Sequence, residues 1–190
     1  MVKPIRPPAN GFVAIARKVY NPIGFTKGYN FVLFFIFVGA LMGFSLPRLQ
    51  YLDHYGFYCA QDQIGECYYY TQGIYEIGFR MHLAAVLPAS FLACFQFVPA
   101  IRHKVMLFHR INGYFILVLS TVSTVGAFMA ARHAFGGGLD IQVAIGVEGI
   151  AFTVSMVLAY INIKALQIEQ HRAWMLRGWC YVSGLFQKMC

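Results

Sequence analysis

Charge is scarce in this sequence. Asp, Glu, Lys and Arg make up 12% of its 190 residues, about half of what a water-soluble domain carries. Together with 59% hydrophobic residues and a mean hydropathy of +0.59, that scarcity argues against a soluble globular enzyme. Acids are rarer still: there are 7, and none occurs before Asp53. The five cysteines form no CxxC pair, so neither a zinc module nor a disulfide scaffold is indicated. There is no convincing internal repeat, and residues 1–30 lack the short apolar core of a secretory signal. A basic, acid-free leader also suits a mitochondrial presequence, but Pro4, Pro7 and Pro8 would interrupt its amphipathic helix.

What the chain has in abundance is uninterrupted apolar sequence. A bilayer core of about 30 Å takes roughly 20 apolar residues as a helix, and such runs occur at about 28–46, 74–98, 111–131 and 141–163. The expected fold is therefore all-α: a polytopic transmembrane helix bundle with four full spans and a short or truncated fifth helix at 173–190, behind a basic tail at 1–27. Gly39 and Gly43 give the first span a small-xxx-small spacing, and Pro47 and Arg48 are expected to stop it. Pro88 predicts a kink in the second. Ser120, Thr121, Ser123, Thr124, Gly126, Ala127 and Ala130 make the third a candidate central helix, because small side chains let backbones approach.

The formal charge of +8 would suggest nucleic acid in a soluble chain, but its distribution reads as membrane orientation, and no nucleic-acid partner is expected. Lys3, Arg6, Arg17, Lys18 and Lys27 precede the first span, Arg102, Lys104 and Arg110 separate the second and third, and Lys164, Arg172 and Arg177 follow the fourth. All fall on one side, predicting a cytoplasmic N-terminus. Asp53, Asp62, Glu66, Glu76 and Asp140 fall on the other, so the loop from Pro47 to Gly73 is expected outside or in a lumen. Its Cys59 and Cys67 could then form a structural disulfide or remain two thiols.

Chemistry points to the histidines. His109 and His133 are 24 residues apart, about 36 Å along a helix, and must serve opposite faces. By topology His82 and His133 share the outer side, while His109 and His171 share the inner side. Each pair could ligate a metal or a b-type haem, since imidazoles from facing helices are common axial ligands. The inner pair fits better as interfacial anchors, with Arg110, Arg172 and Arg177 gripping a phosphate or lipid headgroup at helix N-termini. Glu148 lies about 10 Å beyond the start of its apolar run, where an ionisable residue is a functional candidate. With His82 it could form an acid–base pair, or merely a hydrogen bond between helices, and Arg80 is an alternative counter-ion. Tyr68, Tyr69, Tyr70, Tyr75, Trp174 and Trp179 fit interfacial belts.

Four segments carry a resemblance: MHLAAVLPASFLACFQFVPAIR (Met81 to Arg102), HRINGY (His109 to Tyr114), ARHAFGGG (Ala131 to Gly138) and EQHRAWMLR (Glu169 to Arg177). Over about residues 75–177 the chain resembles an uncharacterised microbial family of multi-helix membrane proteins, a domain of unknown function with HRxxGY and HRxWMLR motifs. The resemblance implies a helical membrane fold and recurrent positions at His82, His109, Arg110, His133, His171, Arg172 and Arg177, without an established reaction. Similar members continue past WMLR through a complete helix and often another, whereas GWCYVSGLFQKMC (Gly178 to Cys190) follows the motif in this sequence. A looser architectural likeness is to the four-histidine bundle of cytochrome b561 proteins. Three readings follow: a haem- or metal-binding redox protein with a redox partner; a membrane-embedded enzyme acting on a lipophilic small molecule through His82 and Glu148; or a non-catalytic scaffold assembled in the bilayer through Gly39 and Gly43 of the first span and the small-residue face of the third.

Overall fold

The protein is seen in a computed structural model that describes residues 10–61 and 65–184. In chain order the helices are α1 (Gly11–Tyr20), α2 (Gly28–Ser45), α3 (Cys59–Gln61), α4 (Glu66–Tyr70), α5 (Gly73–Gln96), α6 (Pro99–Lys104), α7 (Met106–Ala130), α8 (Leu139–Lys164) and α9 (Ile168–Gly184). Short 3-10 turns at Pro47–Leu52 and Ala131–Gly136 and a π turn at His54–Tyr58 join them, and no strand occurs among the described residues. Four stretches are long and apolar enough to cross a membrane: Gly28–Leu52, Gly73–Gln96, Met106–Gly136 and Leu139–Lys164. The chain is an all-α polytopic membrane protein, as its hydropathy predicts.

Some helix ends differ from the apolar runs for local reasons. As expected, α2 stops just before Pro47, at Ser45 with Leu46 as its cap, and Pro47 then opens the separate Pro47–Leu52 turn, at a position where its missing N–H is not needed. The third helix starts five residues before Ile111, since Met106, Leu107 and Phe108 are apolar and neither His109 nor Arg110 breaks a helix. Pro88 lies inside a continuous α5. The fifth helix begins at Ile168 rather than near 173, while 185–190 and residues 1–9 of the basic tail lie outside the described residues.

Two compact units are present, one of Met1–Pro47 with Ser90–Ile116 and one of Arg48–Ala89 with Leu117–Cys190. In the first, Phe25 is buried against the rings of Phe31 and Phe34, with centroids 5.7 and 5.2 Å away. The Ala100 N–H donates to the Ile23 carbonyl at 3.0 Å. Gly24, at φ +95°, allows this approach: a Cβ there would lie 2.7 Å from the Ala100 nitrogen. Asn112 Nδ2 donates to the Leu92 carbonyl at 3.0 Å and Gln96 Nε2 to the His109 carbonyl at 3.1 Å, joining the end of α5 to the start of α7.

In the second unit α5 and α7 meet backbone to backbone. A Cβ on Gly126 would lie 2.6 Å from the Gly78 carbonyl oxygen and 2.7 Å from the His82 nitrogen. Ser120, Ser123, Gly126 and Ala130 form one buried stripe of α7, so its small residues face a neighbouring helix. Lipid tails are as apolar as side chains, so close packing and hydrogen bonds must supply the association here. α8 and α9 form a hairpin in which Gly178 sits against Met156, and Phe152 meets Trp179 edge-on at 6.4 Å. Its turn is closed by Leu166 N–H to Ile163 carbonyl at 3.1 Å and Gln167 N–H to Asn162 carbonyl at 2.8 Å. Leu166 takes φ +59° at the position where glycine usually ends a helix this way.

Gly126→Leu should therefore lower the detergent-solution unfolding midpoint by the equivalent of about 1–3 kcal/mol, the usual cost of overpacking. Gly39→Leu is the control, because a Cβ there meets nothing within 4 Å; an equal loss in both variants would refute the crossing as the sensitive contact.

Candidate functional site

His82 is the ionisable group that the α5–α7 contact places against a buried polar residue of the facing helix, Ser123. It sits one turn beyond Gly78, where the helices are closest, and its Nδ1 lies 3.0 Å from both the Ser123 carbonyl oxygen and Ser123 Oγ. A carbonyl oxygen only accepts, so Nδ1 carries the hydrogen; in the neutral ring Nε2 then bears the lone pair. Glu148, half-buried, occupies the tenth position of α8, as His82 does in α5. Beside it, Gly149 lets the Phe128 ring approach: a Cβ at 149 would lie 2.5 Å from that ring.

His133 stands elsewhere. It is stacked on Tyr69, with centroids 3.8 Å apart and planes within 5°, and meets Tyr75 edge-on at 4.6 Å. These rings, with Tyr68, Gln72, Gly73 and Ile74, line an open cleft of about 540 Å³. The structure does not bring His133 to His82: Ser123, the partner of His82, precedes His133 by ten residues, about 15 Å along a helix. Arg80, the alternative counter-ion expected for Glu148, pairs with Glu76, 2.8 Å away, and its guanidinium also covers the Tyr55 ring at 5.1 Å.

On the basic ends of the helices the groups have separate partners. His171 Nδ1 donates to the Ala159 carbonyl at 2.9 Å, pinning α9 to α8. Arg172 forms a bidentate pair with Glu169 at 3.0 and 3.1 Å, and Arg177 lies 4.5 Å over the Trp174 ring. His109 is half-buried and Arg110 exposed. No group of three or more His, Cys, Asp or Glu placed to hold a metal occurs among the described residues.

Sequence reasoning overlooked His54. It is only 5% exposed, stacked on Tyr58 at 5.5 Å and tilted against Phe79 at 5.4 Å, with Nε2 donating to the Tyr70 carbonyl at 2.7 Å. The loop is a folded cap around it, and Cys59 and Cys67 are joined by a disulfide, their Cα atoms 5.1 Å apart. The only signal was the aromatic density of HYGFY (His54 to Tyr58). Two belt assignments also change: Tyr70 and Trp179 are 2% and 8% exposed and act as packing residues. Tyr70 donates its hydroxyl to the Ala130 carbonyl at 3.2 Å, holding the cap to the end of α7.

Burial, and then the Glu66 carboxylate, push the Tyr70 phenol above the ordinary tyrosine range, and the Tyr55 phenol is raised chiefly by the hydrogen bond it donates to Glu76. A raised folded value favours the protonated form, so this contribution is complete below about pH 10 and lost as pH climbs through the folded values. Tyrosinate absorbance should show phenols ionising late, with cap stability falling above about pH 10. Tyr70→Phe should remove one late-ionising phenol and cost about 1 kcal/mol at neutral pH; an unchanged titration would contradict the buried assignment.

Set against known proteins, residues 79–189 match the family described as "Predicted membrane protein (DUF2306)". The matched region contains His82, His109, His133, Glu148 and His171, whereas His54 and the disulfide precede it. The chain is also similar to Ava biosynthesis cluster protein G of Aspergillus versicolor, at 28% identity over 210 aligned positions covering 86% of this chain. It spans 62% of that relative's length. No solved structure matches. With the family match reaching from the second turn of α5 into the segment beyond α9, more than half of its length, this chain belongs to the DUF2306 family of predicted membrane proteins.

Proposed function

We propose that this protein is a membrane-embedded enzyme that moves a proton on a lipophilic intermediate of a biosynthetic pathway, with His82 and Glu148 as its acid–base groups. The observation that carries the reading is the fixed tautomer of His82. A main-chain carbonyl holds the Nδ1 hydrogen, so Nε2 is presented as a base at the level of the bilayer. A positioned acid or base of this kind typically contributes about 10²–10⁴-fold to a rate. The reaction class that needs no further reagent is an isomerisation or cyclisation, in which Nε2 takes a proton from one substrate carbon and a proton is returned at another. The printed name of the Aspergillus relative refers to a biosynthesis cluster, which supports a small-molecule substrate, and a substrate partitioned into lipid has direct access to an apolar bundle. The same reading places the N-terminus on the cytoplasmic side, by its basic residues, and the disulfide-bearing cap in an oxidising lumen or outside.

The test is complementation in the source organism. A strain lacking the chain should accumulate a lipophilic precursor that the wild-type sequence clears. His82→Gln and Glu148→Gln should leave it uncleared, with turnover down about 10²-fold or more at unchanged membrane abundance. Clearance by both variants, or loss of activity in step with abundance, would reduce these residues to structural roles. A reduced-minus-oxidised visible spectrum tests the competing redox reading: haem b bands lost in His82→Ala would replace proton transfer by electron transfer at that residue.

A further inference from the structure

We infer that α1 is an interfacial anchor whose apolar stripe enters the bilayer surface while its cations engage anionic lipid headgroups. Phe12, Ile15 and Val19 follow an i, i+3, i+7 spacing, so they share one helix face, and they are 81%, 66% and 55% exposed. Ala14, on the other side of the helix, is exposed too, and Lys18 is an exposed cation flanking the stripe, three residues after Ile15. A face of three such side chains is far smaller than the roughly 800 Å² per partner of a stable protein interface, but it suits the shallow burial of a helix lying in the headgroup region.

Placement and charge select the same partner. Seven residues separate α1 from α2, the start of the first span. The buried Tyr20 bridges them, packing on the Phe31 ring at 6.1 Å and lying 3.6 Å from where a Cβ of Gly28 would be. The stripe is thereby tied to the mouth of a membrane-spanning helix. Arg17, Lys18 and Lys27 precede that span, and no acid occurs before Asp53, so this segment carries one sign of charge next to the bilayer. That pattern recognises anionic headgroups. The backbone geometry is prepared for it: Asn10 Oδ1 accepts from the Val13 N–H at 3.0 Å and caps the helix. A ten-residue helix is marginal in water on its own and gains from an interface that covers its apolar side.

The full chain, with Cys94, Cys180 and Cys190 replaced by Ser, is placed in nanodiscs of phosphatidylcholine alone or with about one-third phosphatidylserine. Ile15→Cys and Ala14→Cys then report the two faces through labelling by a membrane-impermeant maleimide. In the phosphatidylserine discs Ile15→Cys should label about ten-fold more slowly than Ala14→Cys. Adding Arg17→Gln, Lys18→Gln and Lys27→Gln should return its rate to that seen in phosphatidylcholine. Equal labelling of the two faces would overturn the anchor. Equal protection in both lipids would overturn the role of anionic headgroups. Protection that persists in detergent and rises with protein concentration would assign the face to a second copy and overturn the proposal.

Discussion

The intramembrane histidine and the aromatic cap of the larger unit both depend on the backbone contact between α5 and α7 at Gly78 and Gly126. In a bilayer, apolar side chains gain little by leaving lipid, and helix spacing is set by how closely backbones can pack. The absence of side chains at these two positions lets His82, one turn along α5, reach Ser123, one turn back along α7. The same crossing organises the cap: Phe79, beside Gly78, underlies the rings of Tyr58 and Tyr70 at 4.6 and 4.7 Å. The Tyr70 hydroxyl reaches Ala130, one turn past Gly126. The intramembrane histidine and the aromatic cap are thus two readouts of one helix separation.

Three histidines share a device. His82, His171 and His54 each give one ring N–H to a main-chain carbonyl, of Ser123, Ala159 and Tyr70 respectively. The bond satisfies a donor that would be costly to leave unmade away from water and fixes the tautomer. What differs is the task of the ring around it. In His171 the bond ties two adjacent helices of a hairpin. In His54 the ring is enclosed by aromatics, and its Nδ1 is buried with no hydrogen-bond partner among the described residues. His82 combines the clamp with a position midway along a span, where a polar ring is expensive and function is the default expectation.

The spans were legible because hydropathy over about 20 residues is a property of the local sequence, and α7 was legible as a packing helix because its small residues recur on one face. The partner of His82 was not legible. Ser123 is 41 positions away, and which of several small polar residues on α7 it would meet depends on the register set by Gly78 and Gly126. The ion pair of Arg80 lies at the other extreme: its partner Glu76 is one helical turn away, so helix spacing alone carries it. His54 and Tyr70 were missed because an aromatic-rich loop beside a membrane reads as a belt, and composition does not distinguish rings that face headgroups from rings that face one another. The disulfide joins residues eight positions apart, within a loop already set apart by its acids.

The hairpin of α8 and α9 bears on how the chain is assembled. Its closing hydrogen bonds span three to five residues, and even the His171 clamp reaches back only twelve. Contacts of such short range form without closing a long loop. Those of the α5–α7 crossing must instead wait for helices separated by the whole of α6 and its flanking turns. During synthesis the last two helices therefore have what they need to pair as soon as Leu166 has made its left-handed turn. The hairpin is consequently a self-contained piece of the fold, closed before any contact of longer range is required.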